Sequence, residues 1–96
     1  MMTLDSMVSP SQNQVSCELE GEAAVLHLKA GRYYGLDPVG VSVWRLIQKK
    51  LSVRQILNAL LEQYDTAPST CEKDLFSLLR QLEKYDLVEI RLGKTP

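Results

Sequence analysis

Gly31-Arg32-Tyr33-Tyr34-Gly35-Leu36-Asp37-Pro38-Val39-Gly40-Val41-Ser42-Val43-Trp44 is the stretch in which this chain changes its period. Before Asp37 the residues read as a short strand rich in aromatic side chains. After it, Val43, Trp44 and Ile47 recur at helical spacing. Asp37-Pro38 marks the switch: aspartate offers a side-chain oxygen to the free N–H groups of a first helical turn, and proline suits the first helical position. The chain is therefore read as strands up to Leu36 and helices from Pro38 onward.

Working back from that point, Ala30-Gly31 is a turn and Ala23 to Lys29 is a strand, with Ala24, Leu26 and Leu28 on one face and Val25, His27 and Lys29 on the other. Gly21-Glu22 is another turn, and Val15, Cys17 and Leu19 alternate with Ser16, Glu18 and Glu20, predicting a half-buried first strand. Two tight connections imply an antiparallel meander with Arg32 to Leu36 at its edge. Residues 1–14 are polar, carry Pro10, and read as a flexible lead-in, with a short extra strand over Met2 to Val8 as the lesser alternative, to a domain over 15–92, with 93–96 as a tail.

Working forward, Lys49 and Lys50 sit where the negative end of a helix dipole favours cations. Ser52 and Gln55 have capping-box spacing, followed by the stripe Ile56, Leu57, Leu60, Leu61 and Tyr64. Ser69 and Glu72 repeat that spacing at the start of a third helix running to about Tyr85. On this helix Cys71, Leu75, Leu78, Leu82 and Tyr85 fall in one stripe, widened by Leu79. Residues 87–92 alternate again (Val88, Ile90 and Leu92 against Glu89 and Arg91) and leave a closing strand open as a question. The fold class is α+β, a three-stranded antiparallel sheet followed by three helices, in the outline of a winged helix-turn-helix.

Composition narrows the function. The chain has 96 residues, 45% hydrophobic and 24% charged, enough for one domain and one core. Its 11 basic and 12 acidic residues give a net charge of −1, and nucleic-acid binders instead show a basic excess or stripe. On the third helix Glu72, Asp74, Glu83 and Asp86 offset Lys73, Arg80 and Lys84, which disfavours contact with phosphates. Cys17 and Cys71 are far apart with no Cys-x-x-Cys or Cys/His cluster, so no metal is expected and the two read as reduced, partly buried thiols. No apolar run is long enough to span a membrane, and residues 1–14 lack the pattern of a signal peptide, so a cytoplasmic protein is expected.

Nor does the sequence offer a catalytic set. His27 is the single histidine and no nucleophile can be tied to it. The five glycines are scattered rather than gathered into a phosphate loop, and carboxylate pairs such as Glu18/Glu20 and Glu62/Asp65 serve solubility. The expectation is a protein that is not an enzyme and uses no cofactor. What remains is an open strand edge, Arg32-Tyr33-Tyr34-Gly35-Leu36, next to an apolar helix. Such an edge presents unpaired N–H and C=O groups to which an extended peptide can add as a further strand. The tyrosines admit two readings, a peptide-contacting surface, or core packing by Tyr33 and Leu36 with Tyr34 as a strand former. The same edge can also pair weakly with a second copy of the chain.

Gly31-Arg32-Tyr33-Tyr34-Gly35-Leu36-Asp37, then Gly40, Val43-Trp44 and Leu46, then Ser52-Val53-Arg54-Gln55-Ile56, Leu60 and Tyr64, then Asp74-Leu75, Leu78-Leu79, Leu82 and Leu87-Val88 together resemble the PqqD-like family, also called RiPP recognition elements. The resemblance covers about residues 15–90. It implies that the leader of a ribosomally made precursor peptide adds antiparallel to the third strand and is clamped by the third helix. Within the family the chain looks most like the standalone leader-binding proteins of lasso peptide biosynthesis, whose partners are a cysteine leader peptidase and, downstream, a macrolactam cyclase. Carried onto this chain, the peptide-binding residues are Arg32, Tyr33, Tyr34, Gly35 and Leu36 on the strand and Asp74, Leu75, Leu78, Leu79 and Leu82 on the helix. Many relatives have glycine where this helix closes with Tyr85-Asp86, so a frayed or extended end is expected here. Two other functions compete: a PqqD-like chaperone for a precursor modified by a radical enzyme, and a winged-helix DNA-binding regulator.

Overall fold

The computed structural model describes residues 2–92. The elements in order are β1 (Met7–Pro10), β2 (Gln14–Leu19), β3 (Glu22–His27), β4 (Arg32–Leu36), α1 (Pro38–Ile47), α2 (Val53–Gln63), α3 (Pro68–Lys84) and β5 (Val88–Arg91). Strands β2, β3 and β4 form the expected antiparallel meander, with β4 at one edge and β2 at the other. The chain is thus an α+β fold with a three-stranded antiparallel sheet and three helices. The expected tail at 93–96 lies outside the described residues.

The period switch falls where the sequence places it. Asp37 Oδ1 accepts the Gly40 N–H at 2.8 Å, and Pro38 opens α1. Ser52 and Gln55 form the full capping box of α2, Ser52 Oγ accepting the Gln55 N–H and Gln55 Oε1 accepting the Ser52 N–H. The box expected at Ser69 and Glu72 does not form. Instead α3 begins two residues earlier, at Pro68, with Ala67 as an N-cap that makes no side-chain bond. Proline there supplies a preset φ and needs no N–H partner, so the start is fixed without a cap.

Three further expectations are corrected. Residues 1–14 are not merely a flexible lead-in. β1 pairs antiparallel with β5, Val8 facing Ile90, and Val8 and Ser6 are fully buried. Val8 N–H bonds the Leu51 carbonyl at 2.9 Å, Val53 N–H the Ser6 carbonyl at 2.9 Å and Arg54 N–H the Leu4 carbonyl at 2.8 Å, sewing the segment to the start of α2. This pairing also answers the question of a closing strand. Second, β2 is not half-buried: every residue after Gln14 is exposed, Val15 at 51% and Leu19 at 73%. Helix α1 packs against β3 and β4, and β2 extends past it, held on its inner side by an Arg45–Glu18 ion pair. Cys17 is accordingly exposed, whereas Cys71 is half-buried; both are free thiols.

Third, α3 ends cleanly. Asp86 takes φ 57°, and the Leu87 N–H reaches the Leu82 carbonyl at 2.9 Å while the Asp86 N–H reaches Glu83 at 3.0 Å, the paired bonds of a Schellman stop. The core is built from Ala23, Val25 and Leu36 of the sheet, Val41, Trp44 and Ile47 of α1, Val53, Ile56 and Leu60 of α2, and Leu75, Leu79 and Leu82 of α3, closed by Val8, Leu87 and Val88.

Candidate functional site: the open edge of β4 and the clefts beside α3

The backbone of β4 supplies the first part of the site. The β2–β3 turn has positive φ at both Glu20 and Gly21, a primed two-residue hairpin closed by the Leu19–Glu22 pair. Antiparallel bonding alternates from there, so Ala24, Leu26 and Leu28 turn their N–H and C=O groups to the β2 side, as the Leu28 N–H to Asn13 carbonyl bond at 2.8 Å shows. Ala23, Val25 and His27 then face β4, through Leu36, Tyr34 and Arg32. It follows that the N–H and C=O groups of Tyr33 and Gly35 point away from the sheet. Among the described residues no strand pairs with that edge.

Side chains flank the edge unevenly. Tyr33 lies on the outer face of the sheet, 74% exposed, while Tyr34 turns inward and meets Tyr85 at the end of α3, ring centroids 5.8 Å apart. Around these two rings is a cleft of about 630 Å³, lined by His27, Ala30, Arg32 and Tyr33 from the hairpin and by Lys84, Asp86 and Leu87 from the end of α3. A second hollow, about 340 Å³, lies at the other end of α3 between Val39 and Val43 of α1, Tyr64 of α2, and Cys71, Asp74 and Leu78.

Helix α3 separates its apolar face into two adjacent stripes. Leu75, Leu79 and Leu82 are buried in the core. Cys71, Asp74, Leu78 and Tyr85, about 80° further round the helix at 100° per residue, border the clefts. So of the ten expected peptide-binding residues, Arg32, Tyr33 and Tyr34 come together at one cleft, and Asp74, Leu75 and Leu78 at the other. Gly35 borders a shallow hollow on the outer sheet face beside Leu19, and Leu36, Leu79 and Leu82 are core. Leu79 and Leu82, expected in the groove, lie about one stripe away from the clefts, in the core. The residues not anticipated there are Lys84, Tyr85, Asp86 and Leu87; the one sequence signal was the non-glycine helix end at Tyr85-Asp86.

Electrostatics differ between the two ends. Among the described residues neither Arg32 nor Lys84 has a carboxylate within ion-pair distance. Asp86 does have partners: its Oδ2 lies 2.9 Å from His27 Nε2 and 3.2 Å from Asn13 Nδ2. The His27 bond first, then the Asn13 bond, hold its carboxyl below the usual range for aspartate. At the far hollow, burial and then the charge of Asp74 push the Cys71 thiol up, which makes it a poor nucleophile.

Residues 22–88, well over half of the chain, match the family described as Coenzyme PQQ synthesis protein D (PqqD). The chain belongs to the PqqD family. It is a PqqD-like RiPP recognition element, as its solved neighbours also indicate. A structure described as TbiB1 in complex with the TbiA(beta) leader peptide is 33% identical, covers 92% of this chain and 99% of its own, and superposes with a TM-score of 0.80. A second, lasso peptide synthetase B1 complexed with the leader peptide, shares the fold at 13% identity and a TM-score of 0.77, over 85% of this chain and 96% of its own. No curated protein matches the chain. None of the described helices of this PqqD-like domain is long and apolar enough to cross a membrane.

Proposed function

We propose that this chain binds the leader of a ribosomally made precursor, of the lasso peptide type, as an added strand on β4. The observation that carries the reading is the open edge at Tyr33 and Gly35, set between two clefts along α3. A guest running antiparallel to β4 would exchange N–H and C=O bonds with those two residues. Its N-terminal part would then pass toward the hollow at Val39, Leu78 and Asp74, and its C-terminal part would leave past Tyr34, Tyr85 and Lys84. Main-chain bonds supply affinity on this account, and the clefts supply selectivity. The complex of the 33%-identical TbiB1 with a leader peptide supports it.

The rest of the proposed role is recruitment in the cytoplasm. The domain holds the precursor at high effective concentration for a cysteine leader peptidase, with a macrolactam cyclase acting after it, and does no bond chemistry itself. On this reading α2 and α3, with β5 behind them, form a winged helix-turn-helix turned from nucleic acid to peptide. The mixed charge of α3 supports that choice.

Labelled TbiA(beta) leader, a scrambled copy and a duplex DNA, each titrated by fluorescence anisotropy, test the proposal. Saturable binding of the leader alone is expected. Gly35→Pro should keep the fold, because a Cβ there meets nothing within 4 Å and the lost N–H is an outward one, yet weaken binding at least tenfold. Tyr34→Pro, which removes an N–H facing β3, should unfold the sheet edge instead. Salt-dependent DNA binding with no leader binding would reject the proposal.

A further inference from the structure

Asp86 occupies a backbone position for which glycine is the natural residue. Its φ of 57° is left-handed, and the two bonds that stop α3 there are made by main-chain atoms, Leu87 N–H to the Leu82 carbonyl and Asp86 N–H to the Glu83 carbonyl. Nothing in that stop needs a side chain. The carboxylate nevertheless has a structured set of partners. His27 Nδ1 accepts the Ala30 N–H at 3.0 Å, so the ring proton sits on Nε2 and is donated to Asp86 Oδ2 at 2.9 Å. Asn13 Nδ2 donates to the same oxygen at 3.2 Å. One carboxylate therefore joins the last turn of α3 to the β3–β4 turn and to the connection between β1 and β2. His27, Ala30 and Asp86 all line the 630 Å³ cleft that Tyr34 and Tyr85 flank.

We propose that Asp86 is a positioning residue for peptide capture: its side chain fixes the end of α3 against the β3–β4 hairpin and so sets the shape of the cleft that the paired Tyr34 and Tyr85 rings border. This rests on the peptide-binding reading above. The side chain of Asp86 is 55% exposed, so water can replace it at His27 when it is removed. The fold then keeps its helix stop, but the two walls of the cleft lose the bridge that holds them in register. A guest must order those walls itself on binding, which lowers affinity without any lost contact to the guest.

The test compares wild type, Asp86→Gly and Asp86→Asn in thermal unfolding and in titration with labelled TbiA(beta) leader. Glycine keeps the left-handed backbone and loses the bridge. Asparagine tolerates the same backbone and retains an oxygen for His27. Expected are a melting temperature for Asp86→Gly within a few degrees of wild type, a Kd at least fivefold weaker, and a Kd for Asp86→Asn within about twofold of wild type. A nuclear Overhauser contact between the Tyr34 and Tyr85 rings should weaken in Asp86→Gly alone. Asp86→Gly binding as well as wild type would overturn the inference while leaving the peptide-binding reading intact. An unfolded Asp86→Gly overturns it as well, since a positioning role requires the domain to fold without the side chain. If wild type itself binds no leader, the functional reading fails and this inference with it.

Discussion

Leu78 and Leu79 are adjacent in sequence and should respond to truncation in opposite ways. Leu79 is 0% exposed within the core, and Leu78 is half-buried at the hollow beside α1. Leu79→Ala removes three carbons from a packed site and leaves a cavity, for about 3–4 kcal/mol. A domain of this size has only about 5–15 kcal/mol in total, so the melting temperature should fall by roughly 15–25 °C. Leu78→Ala gives up about half of a leucine's transfer term in the free protein, about 1.2 kcal/mol. The other half is lost only when a guest covers it, a further ~1.2 kcal/mol that reads as a Kd about eightfold weaker. Circular dichroism melts and anisotropy titrations with labelled TbiA(beta) leader, run on both variants below their transitions, give the two numbers. A large stability loss in Leu78→Ala with unaltered binding, or full stability in Leu79→Ala, would show that the two stripes of α3 have been assigned the wrong way round.

Val8→Asp places a carboxylate without a partner at a fully buried site of β1, costing more than about 3 kcal/mol, and should abolish cooperative unfolding; a normal melt would restore the lead-in reading of residues 1–14. Ser52→Ala should lower stability by about 1 kcal/mol through the lost α2 cap, with Gln55→Ala costing less, as measured by urea denaturation. The lowered pKa of Asp86 has a definite sign: its stabilisation is complete above the unfolded aspartate value near pH 4 and disappears as pH falls through the lower folded value. The melting-temperature difference between wild type and Asp86→Asn should therefore shrink as pH falls below about 4. Glu18, also lowered by its bond to Arg45, is common to both proteins and cancels. A difference that stays constant down to pH 2 would count against the His27–Asp86 bond in solution.

Helix positions were legible because their signals are local. Asp37-Pro38 and Ser52-x-x-Gln55 each act within one turn, and the structure forms both caps. The order and edges of the meander were legible for the same reason, two short turns between alternating runs. What escaped the sequence depends on partners far along the chain. Val8 is paired with Ile90 and bonded to the Leu51 carbonyl just before α2, neither of which its own neighbours reveal. The alternation of β2 is genuine, but its position beyond the helices leaves both faces wet. On α3 one broad apolar face is split between the core and the clefts, and a difference of about 80° cannot be divided by periodicity alone. Tyr85 and Asp86 escaped because a helix end was read for its backbone, whereas its side chains line the larger cleft.

The pairing of β1 with β5 has a topological consequence. Met7 and Arg91 sit opposite each other, and Met2 borders the same hollow as Arg91 and Leu92, so a polypeptide entering the domain beside one leaves it next door at the other. The opposite end of that two-stranded ribbon, Pro10 and Val88, is the one nearer Asp86, on the order of 10 Å away along the strands. A host protein could therefore carry this domain as an insertion in a surface loop, its own ends barely displaced and the cleft beside Asp86 left clear.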